Sequence, residues 1–185
     1  WTGGLVTKAQ SGAQVVQGFF GSGEYTRKNK SDDQYIADLY RAMFDRAGDA
    51  GGTATWKSLM GKGVSRTYVL KGFAEGTEFK NLCARYNIIQ GTIATSEARD
   101  VNPNRTGFAN NLIKYLMGYT NGNTSILNNY AAYLNGGHSG SQLVNDYVLK
   151  TSEYTALAGN LSASGMATAL YNGLLGREND ISGYE

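Results

Sequence analysis

Apolar residues recur along the chain with the spacing of amphipathic α-helices rather than that of β-strands. Between Tyr35 and Phe44 they fall at i, i+1, i+4, i+5, i+8 and i+9, which places them on one helical face. The stretch from Phe79 to Tyr86 follows the same rule, with apolar residues at i, i+3, i+4 and i+7. No stretch shows sustained alternation rich in Val, Ile and Thr, so we predict an all-α fold.

Residues that commonly start helices stand in front of several of these apolar stretches. Ser11, Ser65 and Ser139 each precede one, and Ser31 opens the polar stretch before Tyr35. Serine is favoured at a helix N-cap because its hydroxyl accepts a backbone N–H of the first turn. We therefore expect helices to begin directly after these four serines.

The same series of helices and loops recurs along the chain. Leu39, Leu112 and Leu170 hold one position of it, at spacings of 73 and 58 residues (112 − 39 and 170 − 112). A second segment, whose first copy begins at Ser11, recurs 54 and 128 residues later (65 − 11 and 139 − 11). Repeats of this length, built from short helices with one apolar face each, normally stack side by side. The chain is therefore predicted to consist of tandem helical repeats.

The repeat divides the chain into five predicted parts. They are the C-terminal half of a repeat (1–30), a complete repeat (31–90), an extended connector on the surface (91–104), a degenerate repeat (105–160) and the N-terminal half of a further repeat (161–185). Both ends fall inside a repeat, so we expect flanking repeats outside this sequence.

Large apolar or aromatic residues at recurring positions are predicted to anchor the core. They are Trp1, Trp56, Tyr130, Leu39, Leu112, Leu170, Phe19, Phe73 and Tyr147. The alternative for the two tryptophans and Tyr130 is that they stack on sugar rings, but residues in register with a repeat usually pack inside it. Three tyrosines outside the register are better candidates for contact with a ligand: Tyr119, Tyr133 and Tyr184.

Two loops between helices carry an arginine and an aspartate three residues apart, namely Arg46 with Asp49 and Arg177 with Asp180. The favoured interpretation is a structural brace. The carboxylate would accept backbone N–H groups of the next helix, and the guanidinium would cover carbonyls at the end of the previous one. The alternative is a cation site built from the carboxylates of these loops. Neither loop has the spacing of a calcium loop, and a nearby arginine opposes a cation.

The net charge and the single cysteine and histidine exclude several classes of function. The net charge is +2 with both signs interspersed, so no basic face for nucleic acid is expected. No apolar run approaches the roughly 18 residues of a membrane span. Cys83 and His138 are the only cysteine and histidine, and we interpret them as a buried thiol and a solvated loop residue. No metal site, cofactor or catalytic residue is predicted, and the chain is not expected to be an enzyme.

The linked motifs resemble the bacterial family called domain of unknown function 4214. They are Leu-Tyr-x-x-Leu-Leu-Gly-Arg-x-x-Asp-x-x-Gly at 170–183, a tryptophan at 56, Gly-x-Ser at 63–65, Gly-Phe at 72–73 and Thr-Glu-Phe at 77–79. The last motif lacks the usual spacer, and in the middle copy Tyr119 and Gly122 replace the Arg and the Asp. A function that needs this loop should therefore be absent from that copy. The resemblance covers nearly the whole chain as tandem copies, and a looser similarity exists to phycobilisome linker domains.

This resemblance implies a helical module of secreted or surface-attached bacterial proteins and brings no catalytic residues. We expect a scaffold or adhesive segment whose partners are neighbouring repeats of the same or another chain. The alternative is an extracellular module that binds glycans, because tyrosine and asparagine are frequent in the loops. A hydrolase is disfavoured, since a histidine-dependent mechanism would have to use His138.

Overall fold

The computed structural model describes residues 2–120 and 122–176, and within them it contains helices and no β-strand. The α-helices are α1 (Thr2–Val6), α2 (Gly12–Phe20), α3 (Gly23–Arg27), α4 (Asp32–Phe44), α5 (Ala50–Gly61), α6 (Arg66–Glu75), α7 (Thr77–Arg85), α8 (Pro103–Leu116), α9 (Thr124–Asn135), α10 (Gly140–Asp146), α11 (Ser152–Asn160) and α12 (Ala163–Leu170). Two 3₁₀-helices span Ala98–Asp100 and Val148–Lys150, and a π-helix, Tyr171–Leu175, continues α12. The predicted all-α fold is confirmed.

The helices form two compact units. The N-terminal unit comprises residues 1–60 and 65–96, and the C-terminal unit comprises residues 61–64 and 97–185. The change from one unit to the other after Ser96 falls within the predicted connector 91–104. The tandem-repeat order of the helices stays a prediction.

Serine caps determine where several of the helices begin. Ser11, Ser31 and Ser139 each accept the backbone N–H three residues later, and the side-chain oxygen of the glutamine at that position accepts the backbone N–H of the serine. Ser65 accepts the N–H of Tyr68 at 3.0 Å. A cap of this kind stabilises a helix by about 1 kcal/mol, so these four starts are encoded locally. The predicted starts of α2, α4, α6 and α10 are confirmed.

The core of the N-terminal unit lies where α2 and α7 pack on α6 and where α4 meets α7. Ile36, Leu39 and Val69 are fully buried there. The ring of Phe73 lies 4.8 Å from that of Tyr40 and 5.2 Å from that of Trp56, measured between centroids. These contacts make one aromatic cluster beside the aliphatic core.

The chain after α7 folds back along α2 and α6. The carbonyls of Ile89 and Gln90 accept the N–H groups of Gly12 and Ala13, both at 2.8 Å. Gly91 has a φ of +72°, and a Cβ added there would meet the side chain of Ser11. The turn at this point therefore requires glycine.

The next residues are also held against α6. The carboxylate of Glu75 accepts the N–H of Ile93 at 2.9 Å and pairs with Lys71 at 2.6 Å. Ile93 is 1% exposed and Asp100 is 5% exposed. The prediction of a surface connector is wrong at these two residues. At Ile93 the cause is the hydrogen bond to Glu75, which holds the backbone against α6.

The C-terminal unit is built around α8, which packs against α9 on one side and against the π-helix on another. Leu112, Ile113 and Leu116 on α8 are completely buried. A Cβ added at Gly173 of the π-helix would lie 2.9 Å from Cγ of Leu116. The glycine therefore allows the π-helix to approach α8 closely.

No helix in residues 2–120 and 122–176 has both the length and the apolar character needed to cross a lipid bilayer.

Candidate functional site

The loop between α4 and α5 is fastened to α7 by one arginine. Nε and Nη2 of Arg46 donate to the two carboxylate oxygens of Glu78 at 2.9 and 2.7 Å. Nη1 donates to the carbonyl of Ala47 at 3.0 Å, and the guanidinium carbon lies 5.0 Å from the centroid of the Tyr40 ring. These bonds join two segments of one unit, so this charged group has a structural role.

Asp49 holds the start of α5. Its carboxylate accepts the N–H of Gly52 at 2.7 Å, and it lies 3.9 Å from the Arg46 guanidinium. The hydrogen bond from Gly52 holds the pKa of Asp49 below its ordinary value. Asp49 thus makes the contact that the brace interpretation describes. The second predicted brace, Arg177 with Asp180, lies outside the described residues.

Glu78 is the residue of this site that the sequence pattern did not identify. The brace interpretation assigned Arg46 to carbonyls at the end of α4, whereas its two shortest hydrogen bonds go to this glutamate. The available signal was the glutamate in the motif Thr77-Glu78-Phe79, which recurs as Ser152-Glu153-Tyr154.

The corresponding loop of the C-terminal unit makes a similar contact without an arginine. By the predicted spacing of 73 residues, Tyr119 stands where Arg46 stands (119 − 73 = 46). Its hydroxyl donates to Oε1 of Glu153 at 2.9 Å. Tyr119 is half-buried and already hydrogen-bonded, so it is less available to a ligand than the sequence suggested.

Replacing Glu78 with glutamine is expected to lower the stability of the N-terminal unit at neutral pH. The hydrogen bonds from Arg46 hold the pKa of Glu78 below its ordinary value, so the stabilisation is present above that value. It is lost as the pH falls through the lowered pKa of Glu78. Urea unfolding from pH 7 to pH 3 should therefore show a difference between wild type and E78Q that disappears at the acid end.

Glu24→Gln is the matched control for this series. Glu24 is 83% exposed, and its ion pair with Lys28 is long, at 3.7 Å. An equal loss of stability in both variants would argue against a specific role of the Arg46–Glu78 pair.

The predicted core anchors divide into three groups. Leu39, Leu112, Phe73 and Tyr130 are buried, whereas Trp56 and Leu170 are half-buried. Phe19 and Tyr147 were wrongly predicted as core residues, since they are 50% and 47% exposed. Trp1, like the possible ligand contact Tyr184, lies outside the described residues.

The two exposed anchors have local causes. Phe19 and Phe20 are adjacent on α2, and Phe20 takes the buried position, with the Phe19 ring edge-on to it at 5.2 Å. Tyr147 follows the last residue of α10, where the backbone leaves the helical conformation. The helical register that predicted its burial ends one residue earlier.

A partly exposed aromatic cluster forms around Tyr133 in the C-terminal unit. The imidazole of His138 stacks on its ring at 3.9 Å with an interplanar angle of 10°. The Tyr147 ring lies 5.1 Å away in an edge-on arrangement. The Tyr133 hydroxyl donates to Asp146 at 3.0 Å. The cluster thus combines aromatic rings with one carboxylate at the surface.

Cys83 is 3% exposed, and its burial raises the pKa of the thiol. Within the described part of the chain, no three His, Cys, Asp or Glu side chains are arranged to hold a metal ion.

Comparison with known proteins finds a similarity that includes the loop between α4 and α5. No curated protein and no solved structure matches the chain. Residues 16–83 match the model of the family described as Domain of unknown function (DUF4214). The match starts in α2, ends in α7 and contains Arg46, Asp49 and Glu78. The segment 16–83 of this chain is therefore similar to the DUF4214 family.

Proposed function

We propose that the chain is a non-catalytic helical module that acts as a scaffold or protein–protein interaction segment of a larger secreted or cell-surface bacterial protein. The observation that carries the proposal is which side chains bind within the unit and which remain exposed to solvent. Arg46 and Asp49 of the α4–α5 loop bind within their own unit, while several large apolar side chains stay at the surface. Two of these, Leu174 and Leu175, are adjacent. Contiguous exposed apolar patches are typical of surfaces that contact other proteins.

The cellular location in this proposal rests on the resemblance to bacterial surface modules. The non-catalytic assignment is supported by the small number of residues suited to nucleophilic or acid–base catalysis, since the sequence has one histidine and one cysteine. The thiol of that cysteine is buried.

The assembly state of the purified chain tests the proposal. Sedimentation velocity over a range of concentrations should show particles whose mass grows beyond that of one chain. A mass of 19.9 kDa at every concentration would contradict a scaffold formed by contacts between repeats.

A second candidate is an extracellular glycan-binding module, and the cluster of Tyr133, His138 and Tyr147 favours it. Sugar rings present apolar C–H faces that stack on aromatic rings, and their hydroxyls donate to carboxylates such as Asp146. Tyr147 is 47% exposed and could make such a contact.

If the cluster binds glycans, Tyr147→Ala should weaken binding to the best ligand of a glycan panel about tenfold, which corresponds to roughly 1.4 kcal/mol. Tyr86→Ala is the control, because Tyr86 is 65% exposed but belongs to the other unit. Absence of binding to any glycan, or an equal loss in both variants, would contradict this second candidate.

A further inference from the structure

A small cavity in the N-terminal unit is lined by side chains from the end of α2, from residues 25–30 and from α4. Its volume is about 280 Å³. This is just below the roughly 300–1,000 Å³ that is typical of sites for drug-sized molecules. The cavity therefore suits one ring-sized group of a larger ligand. We call it the Phe19 pocket, after the most exposed aromatic residue in its wall.

Phe19 offers an aromatic surface to a ligand in this pocket. The residue is 50% exposed, whereas its neighbours Phe20 and Tyr25 are 6% and 7% exposed. The Phe19 ring lies 5.2 Å from the Phe20 ring and 5.9 Å from the Tyr25 ring, measured between centroids. The two buried rings hold Phe19 in place while half of its surface stays open to solvent.

The other side chains of the Phe19 pocket carry an excess of positive charge. Lys28, Lys30 and Arg41 line it together with a single carboxylate, that of Asp38. This carboxylate already accepts the hydroxyl of Tyr25 at 2.9 Å and lies 3.5 Å from Nζ of Lys30. It is therefore occupied within the unit, and the charge that remains favours an anionic ligand.

Arg41 is the cation of the pocket that is available to such an anion. Its side chain is exposed and makes no hydrogen bond or ion pair with any residue in 2–120 and 122–176. Lys28 is paired only with Glu24, at 3.7 Å and at an exposed position. A guanidinium stays charged at all ordinary pH values, and its planar fork matches the two oxygens of a carboxylate.

We propose that the Phe19 pocket binds a carboxylate-bearing sugar residue, such as a uronic acid of an acidic polysaccharide. The apolar C–H face of the sugar ring stacks on Phe19, and its carboxylate binds the guanidinium of Arg41. Nucleic acid would need a broader basic face than a chain of net charge +2 provides. This site deepens the glycan-binding candidate, on which it rests, by naming an acidic ligand and a pocket separate from the cluster around Tyr133.

Isothermal titration calorimetry with two matched probes tests the ligand class. The probes are oligomers of galacturonic acid and neutral galactose oligomers of the same length and linkage, which differ in the carboxylate. Wild-type chain should bind the acidic probe about tenfold more tightly or better, because hydrogen bonds to charged groups are the stronger ones. Raising the salt concentration from about 0.05 M to about 0.5 M should remove most of this preference.

Two variants separate the contributions of charge and ring. Arg41→Gln should weaken binding of the acidic probe about tenfold and leave binding of the neutral probe unchanged. Phe19→Ala should weaken binding of both probes by about fivefold, since both lose the stacking surface. Circular dichroism checks that Phe19→Ala folds, and Arg41→Gln alters an exposed side chain without partners in the described chain.

Arg105→Gln is the matched control for charge. Arg105 is also exposed but lies in the C-terminal unit, so this variant should bind the acidic probe like wild type. Equal affinity of wild type for the two probes, an equal loss in both arginine variants, or no binding of either probe would overturn the proposed ligand of the Phe19 pocket. A loss confined to Tyr147→Ala would overturn this pocket while leaving the glycan-binding candidate in place at the other cluster.

Discussion

Replacing Leu112 with alanine should lower the free energy of unfolding of the C-terminal unit by about 2–5 kcal/mol. Leu112 is completely buried on α8, in one cluster with Ile113, Leu116, Leu143 and other apolar residues. Removing most of its side chain loses buried apolar contact and leaves a cavity that the packed helices fill only in part. Urea unfolding followed by circular dichroism measures the change.

Leu149→Ala is the appropriate comparison for this substitution. Leu149 is also in the C-terminal unit but is 39% exposed, so its truncation should cost less than about 1 kcal/mol. Equal effects at the two leucines would contradict the central position of α8.

Gly91→Ala should destabilise the N-terminal unit by about 2–4 kcal/mol, by two mechanisms that act together. The residue has a φ of +72°, where an L-amino acid is strained. The added methyl group would also meet Ser11, whose hydroxyl caps α2. A backbone shift that relieves the strained φ or the contact with Ser11 would disturb the hydrogen bonds from Gly12 and Ala13 to the segment before Gly91.

The control for Gly91→Ala is the same substitution at Gly61. A Cβ at Gly61 would have no neighbour within 4 Å, and its backbone φ is not positive. Gly61 is the last residue of α5, where alanine is a better helix former, so Gly61→Ala should be neutral or slightly stabilising. Thermal unfolding of the two variants compares them directly, and a similar decrease in both would rule out the special role of Gly91.

Local rules explain how much of the fold was predictable from the sequence. Helical periodicity identified the all-α fold, and the N-cap serines located the starts of four helices, because both signals involve residues within one or two turns of each other. The choice between neighbours was harder. Phe19 and Phe20 both border the apolar face of α2, and only the packing of other elements decides that Phe20 is the buried one.

The segment after α7 shows a second limit of sequence reasoning. Its polar composition suggested a surface position, but Ile93 is buried because Glu75, 18 residues earlier, accepts its backbone N–H. Tertiary hydrogen bonds of this kind leave no periodic trace in the sequence.

The candidate site was predictable in part for the same reason. Asp49 and the N–H it accepts are three residues apart, so local capping rules describe the contact. Arg46 and Glu78 are 32 residues apart, and nothing near Arg46 indicates its partner. The aromatic cluster likewise depends on where α9 and α10 meet, although Tyr133 was already a candidate for ligand contact.

The contacts of Glu78 and Glu153 differ in one respect that matters outside dilute buffer. Glu78 is held by a cationic guanidinium, and Glu153 by an uncharged hydroxyl. Dissolved salt shortens the range of Coulomb attraction from about 10 Å at 0.1 M to about 3 Å at 1 M, which weakens an exposed ion pair more than a hydrogen bond from a neutral donor. At molar salt, the loop of the N-terminal unit should loosen while that of the C-terminal unit keeps its attachment. The two loops should therefore differ in their tolerance of ionic strength.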